Sequence, residues 1–153
     1  MTPSVLFVCL GNICRSPLAE GVFRDLAARE GVAVRIDSAG TGDWHLGHAP
    51  DKRAQAVAAK NRLDISGLRA RLVTEDDFRS FDHIIAMDSS NLANLQAMRP
   101  ADATAAVAKL LDYAPETGIP DVPDPYYGGP EGFDETYALV EAGAKGLLDA
   151  VRK

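Results

Sequence analysis

Residues 5–20, Val-Leu-Phe-Val-Cys-Leu-Gly-Asn-Ile-Cys-Arg-Ser-Pro-Leu-Ala-Glu, constrain the fold more than any other stretch of the chain. Val5–Val8 is a short apolar run rich in β-branched and aromatic side chains. It is too short for a helix, so it predicts a buried, parallel strand. Ser16 followed by Pro17 gives the opposite signal: a residue suited to capping, then a proline whose fixed φ suits the first helical turn. A strand that passes through a short loop straight into a helix points the loop's backbone N–H groups and the positive end of the helix dipole at one place. Such a turn is suited to holding an anion.

Cys9 and Arg15 stand at the two ends of this loop. The field that attracts an anion also favours the thiolate of Cys9, which is the nucleophilic form of the side chain. The guanidinium of Arg15 is a planar fork that grips two phosphoryl oxygens and neutralises charge spreading over them. Ser16 is placed to donate its hydroxyl to the sulfur and so help the thiolate leave in a second step. Most free cysteines are merely small buried hydrophobes; here Arg15, Ser16 and the strand-loop-helix context favour chemistry. Leu10, Gly11, Asn12, Ile13 and Cys14 supply the loop between. Gly11 permits tight curling, and Asn12 tolerates left-handed backbone and has a side chain able to tie a loop down.

The segment Cys9 to Ser16, with Pro17, resembles the signature loop of the low-molecular-weight protein tyrosine phosphatases, and Asp124-Pro125-Tyr126-Tyr127 resembles that family's acid loop. Asp37-Ser38, Trp44 with Pro50-Asp51, Thr74 to Phe78, and Met87-Asp88 extend the resemblance over essentially the whole chain. The resemblance implies a phosphoric monoester hydrolase that cleaves phosphotyrosine in proteins, and small aryl phosphates, through a cysteinyl-phosphate. It makes Cys9 the nucleophile and Arg15 the phosphoryl-binding residue. Asp124 becomes the acid that protonates the leaving oxygen and then, as a carboxylate, draws a proton from the hydrolytic water. Pro125 supports that choice by restricting Asp124 to extended backbone. Asp-Pro also opens ordinary turns, and Asp121 is a nearby competitor. The implied partners are tyrosine-phosphorylated proteins as substrates, and inorganic phosphate and other oxyanions as inhibitors, with no cofactor.

Further positions follow from the same resemblance. Trp44, Tyr126 and Tyr127, with Ile13, are the expected walls of a slot deep enough for a phosphotyrosyl ring, and either tyrosine is by analogy a phosphorylation site. Ser38 is expected to hold Asn12. The family's second support for that asparagine, a histidine before an Ala-Arg pair, is replaced by Leu68 in Gly67-Leu68-Arg69-Ala70-Arg71, a departure that bears on loop rigidity. Asp88 matches a structural position at a helix start. Cys14 is either a packed loop residue or the thiol that traps an oxidised Cys9 as a disulfide.

Composition narrows the class. A chain of 153 residues, 46% of them hydrophobic, is one domain, residues 1–153, with enough apolar side chains for a core. Cys9 and Cys14 share one loop and are the 2 cysteines present, so no disulfide scaffold is expected. With no apolar run near membrane-spanning length and no cleavable leader, the expected location is the cytoplasm, with no membrane partner. A net charge of -6 argues against nucleic acid. His45 and His48 lie in a Gly- and Pro-bearing loop without a completing carboxylate or cysteine cluster, so no metal is predicted.

The remaining chain reads as alternating strands and helices. A stripe of Leu18, Ala19, Val22, Phe23, Leu26 and Ala27 marks a helix ending by Gly31, with Glu20, Arg24 and Arg29 off the stripe. Val32–Ser38 follows as a second strand. Pro50 opens a helix with Ala54, Val57 and Ala58 inward; Thr74 caps a short one through Phe78. His83–Met87 is the third strand, Asp88 caps the next helix, and Lys109-Leu110-Leu111 is the last strand candidate. Residues 112–132 read as one long loop, and the final helix starts near Glu131. The fold class is α/β: a single three-layer domain, a four-stranded parallel sheet with helices on both faces, and a phosphate-binding loop between first strand and first helix. Two other functions compete. An arsenate reductase needs further relay thiols, which are absent after Cys14, and a non-catalytic phosphoprotein-binding module needs neither Cys9 nor Asp124. A nucleotide loop is disfavoured because the Gly-rich run with Lys-Ser or Lys-Thr is absent.

Overall fold

The first strand, β1 (Ser4–Cys9), is buried along its whole length and forms an interior strand of a parallel sheet. The computed structural model describes residues 2–126 and 128–152. In it β1 pairs on one side with β2 (Arg35–Gly40), in register from Ser4 opposite Arg35 to Cys9 opposite Gly40. On its other side lies β3 (His83–Ala86), which in turn pairs with the edge strand β4 (Ala106–Lys109). The resulting order β2-β1-β3-β4 reverses direction of travel at β1. In an open parallel sheet the crevice at that reversal, beyond the C-terminal strand ends, is where ligands bind.

Alternate residues of β1 feed two cores. Val5 and Phe7 face α1 (Arg15–Arg29), α2 (Lys52–Lys60) and α5 (Pro130–Val151) in one buried cluster. Leu6 and Val8 face the other, with Phe78 from α3 (Asp77–Ser80) and Leu95 from α4 (Ser89–Met98). The Phe7 and Phe23 rings meet edge-on, centroids 5.4 Å apart, a geometry contributing about 1 kcal/mol beyond its buried area. The apolar stripe read for α1 is buried throughout, as are Ala54, Val57 and Ala58 of α2 and Phe133, Val140, Ala144 and Leu147 of α5. Gly31, at φ +70, closes α1 in the left-handed conformation. Among the described residues no helix is long and apolar enough to cross a membrane.

Four local readings are corrected. β4 runs over Ala106–Lys109 rather than Lys109–Leu111; Leu110 and Leu111 are buried in a 3-10 turn, Leu110–Tyr113, packed against α5. An apolar pair there satisfies a helix face, a demand that local sequence does not distinguish from a strand. The segment after it is not wholly irregular, since Pro115–Thr117 forms another 3-10 turn and Val122 is fully buried. Ser16 does not cap α1: the cap position is Cys14, without a side-chain bond, and the Ser16 hydroxyl is used elsewhere. Glu20, placed off the apolar stripe, is buried at 3% exposure. By contrast Asp88 caps α4 by accepting the Asn91 N–H at 2.7 Å. Thr74 and Asp77 exchange backbone-to-side-chain bonds at the start of α3.

Candidate active site

The loop after β1 bends through Asn12, whose φ of +58 is one of two left-handed non-glycine conformations among the described residues. An asparagine there costs less than other side chains, and its amide is fully occupied. Nδ2 donates to Ser16 Oγ at 2.7 Å and to Ser38 Oγ at 3.0 Å, while Oδ1 accepts the Arg71 backbone N–H at 3.0 Å. The N–H of Arg71 therefore supplies a bond to the asparagine despite leucine at 68, and Leu68 itself is partly buried against the core. The Ser38 hydroxyl donates a hydrogen bond to Glu20 Oε1 at 2.8 Å, and Glu20 pairs with Arg24. Close packing also fixes the loop from β2: a Cβ on Gly40 would stand 2.8 Å from the Leu10 carbonyl oxygen. Gly11 has no positive φ; its lack of a side chain instead admits the His45 ring, 3.0 Å from where its Cβ would lie.

This network reaches the nucleophile candidate. Ser16 Oγ lies 3.0 Å from Cys9 Sγ. That oxygen also accepts the Asn12 amide at 2.7 Å, so the sulfur joins the same hydrogen-bonded network. Cys14 is also buried, and its surroundings differ. Burial above all, then the charges of Asp51, Cys9 and Asp124, push its thiol well above the ordinary range, so Cys14 is held protonated.

Arg15 is 2% exposed, yet its guanidinium links three segments. Nη1 donates to Asp88 Oδ2 at 2.6 Å and to the Val122 carbonyl at 3.0 Å, and Nη2 stands 3.5 Å from Asp124 Oδ2. Burial opposes its charge, while the Cys9 sulfur, Asp88 and Asp124 outweigh that and hold it above the ordinary arginine range. Asp124 is partly exposed and accepts its own loop's Tyr126 N–H at 3.0 Å, an Asx turn that aims the carboxyl. Asp121 is drawn away from the site. Burial pushes its carboxyl up, but bonds from Lys109 Nζ at 3.1 Å and Ser89 Oγ at 2.9 Å bring it below the usual range.

A cleft of about 460 Å³ opens between these groups. It brings together Cys9, Leu10, Gly11, Ile13, Cys14 and Arg15 from the loop with Trp44, Asp124 and Tyr126 from two others. Asn12, Ser16 and Ser38 lie behind this lining and act on it through hydrogen bonds. Trp44 is 67% exposed, a rim residue rather than a packed wall. Tyr127 falls outside the described residues. His45 also lines the cleft, its ring centroid 6.0 Å from that of Tyr126, and sequence reading assigned it no part. Glu20 was missed as well. Its signal was a carboxylate one turn into a buried helix, which becomes informative only once Ser38 is known to be adjacent. Among the described residues no cluster of three or more His, Cys, Asp or Glu could hold a metal.

Comparison with known proteins finds similarity along nearly the whole chain. The sequence model of the "Low molecular weight phosphotyrosine protein phosphatase" family matches residues 4–153. The phosphatase of that name from Schizosaccharomyces pombe is 48% identical over 150 residues, covering 96% of each chain. The low molecular weight protein-tyrosine-phosphatase YfkJ of Bacillus subtilis is 45% identical over 152 residues, 98% of this chain and 96% of the relative. YfkJ's crystal structure superposes with a TM-score of 0.93 over 99% of this chain and 96% of that one. A Drosophila arginine phosphatase superposes with a TM-score of 0.92 at 31% identity, over 97% of this chain and 98% of its own. With the family model matching residues 4–153 and relatives 45% and 48% identical along nearly the whole chain, the chain belongs to the low molecular weight phosphotyrosine protein phosphatase family.

Proposed function

We propose that this chain hydrolyses phosphotyrosine in proteins, and small aryl phosphates, in two steps through a cysteinyl-phosphate. In the first, the Cys9 thiolate attacks phosphorus; the S–P bond forms as the P–O bond to the aryl group breaks, and Asp124 gives its proton to the departing oxygen. In the second, the Asp124 carboxylate takes a proton from water as the water oxygen bonds to phosphorus. The S–P bond breaks, inorganic phosphate leaves, and the electron pair returns to a sulfur that Ser16 stabilises. Arg15 and the loop N–H groups compensate charge on the phosphoryl oxygens in both steps.

The observation that carries this reading is the reach of Arg15. From the segment that follows Cys9 it extends to within 3.5 Å of Asp124, which supports reading Arg15 as a phosphoryl-binding fork shared by a nucleophile and an acid. An arsenate reductase would need relay thiols, whereas 2 cysteines are present and both lie in this loop. A binding module would have no use for an acid beside the arginine. The aromatic rim of Trp44 and Tyr126, with Tyr127 beside it in sequence, favours an aryl substituent, so phosphotyrosine is expected to be turned over ahead of phosphoarginine. Inorganic phosphate and other oxyanions are the proposed inhibitors, with no cofactor, nucleic acid or membrane as partner. Free cysteines fit a cytoplasmic location.

Rapid-quench kinetics with an aryl phosphate provide the test. The expected result is a phosphorylated Cys9 that forms and decays at rates matching turnover, and its loss in Cys9→Ser. Turnover without any trapped phosphocysteine would overturn the mechanism, and faster turnover of phosphoarginine would overturn the substrate.

A further inference from the structure

The Asp124 carboxyl is aimed from within its own loop. Its Oδ1 accepts the Tyr126 N–H at 3.0 Å, whereas Arg15 approaches Oδ2 only to 3.5 Å. The direction of the acid therefore depends on where Tyr126 sits. The Tyr126 ring lies below the guanidinium of Arg53, whose central carbon is 5.4 Å from the ring centroid. The same guanidinium stands 4.8 Å from the ring of Phe133, buried at the start of α5. Arg53 is itself held in one orientation: Nε and Nη2 bond Asp51 Oδ1 and Oδ2 at 3.0 and 3.1 Å. Burial pushes the Asp51 carboxyl up, and its Arg53 bonds more than offset this, so the pair stays ionised. Asp51 is anchored to the nucleophile's loop, donating its N–H to the Ile13 carbonyl at 2.8 Å.

These contacts form a continuous connection: Ile13 to Asp51, Asp51 to Arg53, Arg53 to the Tyr126 ring, and the Tyr126 N–H to the Asp124 carboxyl. We propose that Arg53 is a positioning residue that sets the Asp124 carboxyl relative to the phosphate-binding loop by clamping Tyr126. A bidentate guanidinium between a carboxylate and two rings has both a defined plane and a charge attracted to the aromatic faces. Lysine offers neither the fork nor the plane. The helix start does not account for the arrangement, because Asp51 caps α2 through the Arg53 backbone N–H without needing the side chain.

The inference rests on Asp124 acting as the acid, so the experiment measures both. Turnover of a series of aryl phosphates, from good to poor leaving groups, is compared for the native chain, Arg53→Ala, Arg53→Lys, Asp124→Ala and the double variant Arg53→Ala/Asp124→Ala. A misplaced acid matters most where the leaving oxygen most needs a proton. Arg53→Ala is expected to slow the poorest leaving groups about tenfold and the best less than about twofold. Arg53→Lys is expected to fall between, and the double variant to match Asp124→Ala, as for residues acting through one path. Uniform slowing across the series, or full additivity with Asp124→Ala, would overturn the role of Arg53. A thermal melt identifies unfolded Arg53→Ala, in which case the Arg53→Lys slope decides alone. A flat response of Asp124→Ala itself would instead remove the acid assignment on which the inference rests.

Discussion

Arg15 and Asp88 form a 2.6 Å ion pair across 73 residues of sequence, joining the helix that follows β1 to the loop that follows β3. The carboxylate serves two purposes, since its other oxygen caps α4 through the Asn91 N–H. The pair holds the guanidinium in one orientation, which would lower the ordering cost of binding the phosphoryl group proposed for this site.

Asp88→Ala leaves a buried cation short of a partner and a helix uncapped. Breaking such a pair costs about 3 kcal/mol. A urea denaturation midpoint lowered to that extent at unchanged slope is expected, together with weaker inhibition by inorganic phosphate. Unchanged phosphate inhibition would show that Val122 and Asp124 suffice to keep the Arg15 orientation.

Asp124→Ala is expected to leave stability within about 0.5 kcal/mol, because the side chain is partly exposed, its bond from the Tyr126 N–H is local and Arg15 approaches it only to 3.5 Å. Its effect belongs to kinetics: poor leaving groups slow far more than good ones. Equal slowing across a leaving-group series would remove Asp124 from the acid's role.

Asn12→Ala removes the three hydrogen bonds that the Asn12 side chain makes to Ser16, Ser38 and Arg71, and leaves alanine at a φ of +58. A loss of about 3 kcal/mol is expected from the unpaired groups and the strained backbone together. Asn12→Gly relieves the strain but not the bonds, so it is expected to recover about 1 kcal/mol of that loss in the same denaturation experiment.

The buried Cys14 thiol couples stability to alkaline pH. A folded state that raises an acid's pKa favours the neutral form. Its contribution is whole below the unfolded thiol value of about 8.5, and is lost as pH rises from there toward the folded value. Burial raises Tyr113 and Tyr137 as well, which adds to the decline from about pH 10. Stability measured between pH 8 and 10 is therefore expected to fall, and less steeply in Cys14→Ala. In the native chain iodoacetamide at neutral pH is expected to modify Cys9 and spare Cys14, read by peptide mass.

Much of this site was legible from local sequence because its chemistry is concentrated in consecutive residues. Cys9 to Ser16 follow one strand and open one helix, so the strand's apolar run and Pro17 sufficed to locate the loop. The apolar stripes of α1 and α5 were equally plain, since a helix facing a sheet repeats its demand every turn. Leu110 and Leu111 were misplaced because an apolar pair is compatible with a strand or with a turn beneath a helix, and only the position of α5 distinguishes them.

What sequence alone determined was the inventory: a thiol and an arginine framing a turn between strand and helix, a distant Asp-Pro, and an alternation of strands and helices. Which carboxylate meets Arg15 was decided by tertiary structure. Asp121 and Asp124 are three residues apart, but Lys109 and Ser89 take the first while the Tyr126 Asx turn aims the second. The pairing of Asp88 with Arg15 and the contacts of Glu20, His45 and Arg53 emerged in the same way. A side chain's partner depends on which strands are neighbours and which loops share a sheet edge, and that follows from packing the whole chain rather than from any local pattern.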